Sequence, residues 1–151
     1  PGGVQQPLLT RHTLEEARGE LRILLAEDNL VNQKLASALL SKRGHQVIVA
    51  VNGAEAVKIS ADQVFDLILM DLQMPVLDGL AATTAIRQRL LPGRRGQTPI
   101  VAMTANVLAG DKERCLAAGM DCYVSKPIRV NELLAAIADC VKNKEKPPGV
   151  A

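Results

Sequence analysis

At 151 residues, with 48% apolar residues but one phenylalanine, one tyrosine and no tryptophan, the chain has room for one domain with an aliphatic core and little room for a second. A formal net charge of +2 gives no electrostatic case for nucleic acid or an anionic membrane as partner. Cys115, Cys122 and Cys140 lack CxxC or other metal-ligand spacing, which argues against a disulfide framework and fits buried, inert thiols in a reducing cytoplasm.

Pro1 to Pro7 is rich in Gly, Pro and Gln, and Thr10 to Glu20 is charged, so residues 1–20 read as linker or partial helix. They hold no signal-peptide core. No apolar stretch approaches the about 20 residues of a membrane span, because Asp71 and Asp78 interrupt the most hydrophobic region. No direct membrane insertion is expected, although the piece could belong to a membrane-anchored protein. His12, followed by Thr13-Leu14 rather than an acid, is not in a phosphodonor context.

The compact domain is expected over residues 21–141. A strand over Arg22 to Ala26 leads to a helix from Leu30 to Arg43, with Val31, Leu35 and Leu39 on one face and Gly44 as its stop. His45 reads as a turn residue. A strand over Val47 to Val51 and a helix over Gly53 to Ala61 follow, then the aliphatic run Leu67 to Met70. Asp78-Gly79 opens a third helix that runs to Leu90, before Pro92-Gly93-Arg94-Arg95-Gly96 breaks it. Arg87, Arg89, Arg94 and Arg95 make a basic patch there, read as a solvated loop. The fourth strand is Ile100 to Met103, followed by a helix from Gly110-Asp111 to Gly119, a left-handed cap. A strand over Cys122 to Val124 precedes a helix capped by Asn131 and striped by Leu133, Leu134, Ile137 and Val141. Residues 142–151, with Lys142, Lys144, Lys146 and Pro147-Pro148-Gly149, read as a flexible, solubilising tail. Short aliphatic runs alternating with helical patterns specify an α/β domain, a doubly wound five-stranded parallel sheet covered on both faces.

Polar residues that end these strands carry the chemistry. Glu27 and Asp28 follow the first strand and Asp71 the third; if those strands are parallel neighbours, three carboxylates converge at the carboxyl edge, where open α/β sheets bind ligands. Clustered carboxylates repel unless protonated or joined by a cation, and an all-oxygen ligand set favours Mg²⁺. Thr104 and Lys126 follow the fourth and fifth strands. Three acids, a hydroxyl and an ammonium suit a phosphoryl group on a carboxylate: Asp71 as nucleophile, Mg²⁺ on Asp28 and Asp71 oriented by Glu27, Thr104 as hydrogen-bond donor, Lys126 as positive charge. A single acid after a strand is usually a cap or a solvated loop residue; five such groups in order are far more specific. Met70, Met74 and Met103 read as packing residues.

The segments Ala26-Glu27-Asp28-Asn29-Leu30-Val31-Asn32-Gln33, Met70-Asp71-Leu72-Gln73-Met74-Pro75-Val76-Leu77-Asp78-Gly79, Val101-Ala102-Met103-Thr104-Ala105-Asn106 and Gly119-Met120-Asp121-Cys122-Tyr123-Val124-Ser125-Lys126-Pro127-Ile128 resemble the four signature segments of two-component response-regulator receiver domains, most similar to those of hybrid sensor histidine kinases. The resemblance implies a flavodoxin-like (βα)5 fold with strand order 2-1-3-4-5. It implies phosphotransfer from phosphohistidine to Asp71, with Mg²⁺ on Glu27, Asp28, Asp71 and the main-chain carbonyl of Gln73. It further implies a cis bond at Lys126-Pro127 and a switch that couples Thr104 to Tyr123. The partners implied are a histidine kinase dimerisation/phosphoacceptor domain and a histidine phosphotransfer protein. Enzymatic activity would be limited to autophosphorylation and autodephosphorylation. A true aspartyl phosphatase usually needs a second acid two residues after the nucleophile, where Gln73 stands; a scaffold that takes no phosphate would have little use for the complete set.

Overall fold

The computed structural model describes residues 20–88, 97–105 and 111–145. Outside these lie residues 1–19 with His12, 89–96 with Arg89, Arg94 and Arg95, 106–110 with the expected helix start at Gly110, and 146–151. Among the described residues five strands, β1 (Arg22–Ala26), β2 (Gln46–Ala50), β3 (Leu67–Asp71), β4 (Ile100–Thr104) and β5 (Cys122–Ser125), alternate with five helices. These are α1 (Leu30–Ser41), α2 (Gly53–Asp62), α3 (Gly79–Gln88), α4 (Asp111–Ala118) and α5 (Val130–Glu145). The sheet is parallel throughout in the order β2-β1-β3-β4-β5, the flavodoxin-like arrangement expected.

Alternation of side chains along each strand builds two cores from one sheet. Leu24, Ala26, Ile68, Met70, Ile100 and Ala102 face Ala56, Ala82, Ile86 and Cys115 of α2, α3 and α4. Ile23, Leu25, Leu67, Leu69, Val101 and Met103 face Ala36 and Leu40 of α1 and Leu133, Ile137 and Cys140 of α5. The central strands β3 and β4 are buried at every residue, which is why they read as unbroken apolar runs. Met70, Met74 and Met103 are core residues, and the three cysteines are free, with Cys122 half-buried.

Several boundaries differ from expectation, each for a local reason. β2 begins and ends one residue earlier than expected, at Gln46 and Ala50. The Val51 N–H is donated to Glu55 Oε1 while Asn52 caps α2 through the Glu55 N–H, so side chains end the strand. Asn131 does not cap α5: the helix starts at Val130, and the first bond of its backbone ladder runs from Leu133 N to Arg129 O. α5 also continues to Glu145, across the tail boundary drawn at 142. The apolar face of α1 divides. Ala36 and Leu40 are buried and Leu39 half-buried, whereas Val31 is 72% and Leu35 47% exposed. His45 is buried rather than a simple turn residue, its Nδ1 accepting the Leu21 N–H at 3.1 Å.

Arg87 is not part of a solvated patch. Its guanidinium donates to Gly119 O, Thr98 O and Asp121 Oδ2, and a Cβ on Gly119, which has φ 108, would lie 2.7 Å from Arg87 Cγ. The left-handed cap expected at Gly119 thus also makes room for this side chain.

Candidate functional site

The carboxyl edge is assembled by local motifs that aim their polar groups together. Asn29 caps α1 by accepting the Asn32 N–H at 3.0 Å, while its own N–H donates to Glu27 Oε2 at 3.2 Å. Gln33, one turn into α1, donates from Nε2 to Glu27 O at 2.7 Å. The acidic doublet is therefore held by the helix that follows it. Asn29 and Gln33 carry positioning roles that residue type alone did not reveal, although an Asn three residues before another N–H of the first turn is a cap signal.

Asp71 ends β3, opposite Met103, and its Oδ1 accepts the Gln73 N–H at 3.2 Å. Its position requires close approach by α3: a Cβ on Gly79 would lie 2.2 Å from Asp71 O, so only glycine admits the helix here. Asp78 caps α3 through the Ala81 N–H. The chain between them is strained. Leu77 N donates to Pro75 O at 2.7 Å, a three-residue turn that sets Val76 at φ 70, unusual for a β-branched residue.

Ligand atoms of Glu27, Asp28 and Asp71 all lie within 4.8 Å of one another. Lys126, which follows β5 and precedes a cis Lys126–Pro127 bond, reaches Asp71 Oδ2 at 2.9 Å and Glu27 Oε1 at 3.1 Å. Its backbone N–H is fixed by Thr104 O at 2.8 Å. Burial, and then Asp71, push the Glu27 carboxyl above its ordinary range against the opposing Asn29 N–H and Lys126. Burial disfavours the Lys126 charge, but Asp71 and Glu27 together outweigh it and raise its pKa. One lysine thus faces two buried acids and a third, exposed one.

Gln73 and Thr104 line the same cleft, as do Asn32, Asp78, Leu80 and Arg114. Asp78 and Arg114 are charged residues of the cleft that sequence reading did not assign to it: Asp78 was a helix opener, and nothing in the spacing of Arg114 on α4 marks it. Tyr123 is not among the lining residues; it stands on β5 beside Ala102, 39% exposed. Oxygen donors from two adjacent strand ends, no nitrogen or sulfur ligand and a deficit of positive charge suit a hard divalent cation.

Residues 23–138 match the response regulator receiver domain family. The chain is a receiver domain. Hybrid signal transduction protein dokA of Dictyostelium discoideum is 41% identical over 136 residues, 90% of this chain and 8% of that protein. The histidine-protein kinase BarA of Shigella flexneri is 42% identical over 119 residues, 79% of this chain and 13% of BarA. The receiver thus spans a small part of these multidomain relatives. Among solved structures, the receiver domain of sensor histidine kinase PA1611 from Pseudomonas aeruginosa, with a magnesium ion in its active-site cleft, is 41% identical with a TM-score of 0.74, covering 82% of this chain and 98% of that one. The receiver of the Saccharomyces cerevisiae response regulator Ssk1, solved with the histidine phosphotransfer protein Ypd1, is 31% identical with a TM-score of 0.74, covering 86% and 94%. This chain is a phosphorelay receiver with an acidic cluster fit to bind metal, and no described helix is long and apolar enough to cross a membrane.

Proposed function

We propose that Asp71 accepts a phosphoryl group from phosphohistidine, with Mg²⁺ held by Glu27, Asp28, Asp71 and the main-chain carbonyl of Gln73. The observation that carries this is the meeting of three carboxylates from two neighbouring strand ends around a single lysine. When bound, the ion supplies charge neutralisation for the transferring group. An Asp71 carboxylate oxygen forms the new O–P bond as the P–N bond breaks; the imidazole nitrogen keeps that electron pair. Lys126, already against Asp71, offsets charge on the phosphoryl oxygens, and the Thr104 hydroxyl donates to one of them.

The added group brings a charge of about −1.5 to −2. Thr104 closes on it, the exposed Tyr123 ring turns inward beside β4, and the face of α4, β5 and α5 is remodelled for the next partner. The exposed apolar side chains of Leu30, Val31 and Leu35, on the helix that begins beside the cleft residues Asn29 and Asn32, and of Val76, next to the cleft residue Pro75, are the docking face for the helices of a kinase phosphoacceptor domain or a histidine phosphotransfer protein. The receiver operates in the cytoplasm as part of a hybrid histidine kinase.

Incubation with acetyl phosphate and Mg²⁺, followed by peptide mass spectrometry, is expected to find phosphate on Asp71, lost with EDTA and in Asp71→Asn. Labelling elsewhere, or none, overturns the assignment.

A further inference from the structure

Among the described residues, four acids line the cleft, Glu27, Asp28, Asp71 and Asp78, against two cations, Lys126 and Arg114, a formal balance of −2. A bound divalent cation brings this to zero. Lys126 is occupied deep in the cleft by Asp71 and Glu27. Arg114 stands on α4, exposed, on the same cleft as Leu80 and Thr104. Without Arg114 the metal-loaded cleft would keep a formal charge of −1 and repel a phosphoryl donor that is itself an anion.

We propose that Arg114 captures the phosphoryl group being delivered, drawing an anionic donor into the cleft and bonding its phosphoryl oxygens while Lys126 stays on Asp71. This deepens, and rests on, the reading of Asp71 as phosphoacceptor. Arginine suits the task, because its planar fork bonds two phosphoryl oxygens at once and its charge persists at any physiological pH. The two cations differ in depth: the half-buried lysine already stands against the acceptor, and the exposed arginine meets the donor first. A field that acts on approach raises the rate of capture and weakens with salt.

The test is the initial rate of Asp71 phosphorylation by acetyl phosphate at saturating Mg²⁺, measured across donor concentration and ionic strength. Arg114→Gln is expected to lower kcat/KM by about 10-fold, mainly through KM, and to flatten its salt dependence. Arg114→Lys should retain most of that dependence, and Arg114→Glu should fall below Arg114→Gln. Thermal unfolding is measured for each variant, so that loss of a contact Arg114 makes in the fold is separated from loss of its charge. If the parent chain is labelled on Asp71 but Arg114→Gln and Arg114→Glu match its KM and salt slope, the capture role is wrong and the acceptor reading stands. If the parent takes no phosphate on Asp71, both fall together.

Discussion

The two edges of the sheet use charged residues in opposite ways. At the amino edge each acceptor is matched. Asp66 Oδ2 takes the Arg22 N–H, His45 Nδ1 takes the Leu21 N–H, and Asp121 Oδ2 takes both the Ile100 N–H and Arg87. The Arg87 guanidinium is in turn spent on two carbonyls and that carboxylate. At the carboxyl edge Lys126 serves Glu27 and Asp71 together, with Asp28 beside them. A closed network holds the fold, whereas an open one stores repulsion that a cation and a phosphoryl group can relieve.

Arg87→Met should give the largest effect on stability. It leaves the Asp121 carboxylate and two carbonyls short of a donor, and because Arg87 and Asp121 side chains are 17% and 23% exposed the loss is expected at about 2–3 kcal/mol in urea unfolding, with no recovery on adding Mg²⁺. A loss that Mg²⁺ repairs would mean that the two edges are coupled. Glu27→Gln should act in the other direction. Its single amide oxygen can accept from only one of the two donors, the Asn29 N–H or Lys126, but one of two mutually repelling buried charges is removed and that gain outweighs the lost contact, so metal-free protein should gain up to about 1 kcal/mol, while the stabilisation that Mg²⁺ gives the parent is lost. Destabilisation in EDTA would show that Lys126 already balances this edge.

The smallest effect concerns His45, whose pKa burial lowers from 6.5. A folded-state value below the unfolded one means that the unfolded chain takes up the proton first. Stability from this group is therefore full above pH 6.5 and falls as pH drops below it towards the folded value. The loss, under about 1 kcal/mol for one hydrogen bond, should appear in urea midpoints at pH 7.5 and 5.5 and shrink in His45→Gln. An equal slope in that variant would assign the pH dependence to the carboxylates of the other edge.

The site was legible because strand-ending acids and the apolar runs before them are local: Glu27, Asp28, Asp71, Thr104 and Lys126 each follow a run whose burial forces it into the sheet. Arg87 was misjudged because its neighbours in sequence are basic while its partners, Gly119 and Asp121, come from beyond β4. The stripe of α1 identified the helix yet could not tell core from surface, since a leucine on an exposed face and one in a core look alike until the sheet is placed beneath them. Periodicity, turn residues and the four signature segments determined by themselves the element order and the acidic chemistry, for these depend on neighbours a few residues apart. Tertiary structure alone decided which charges close into networks, which apolar face stays open and that Arg114 shares the cleft, because contact between distant segments is set by packing and not by spacing along the chain.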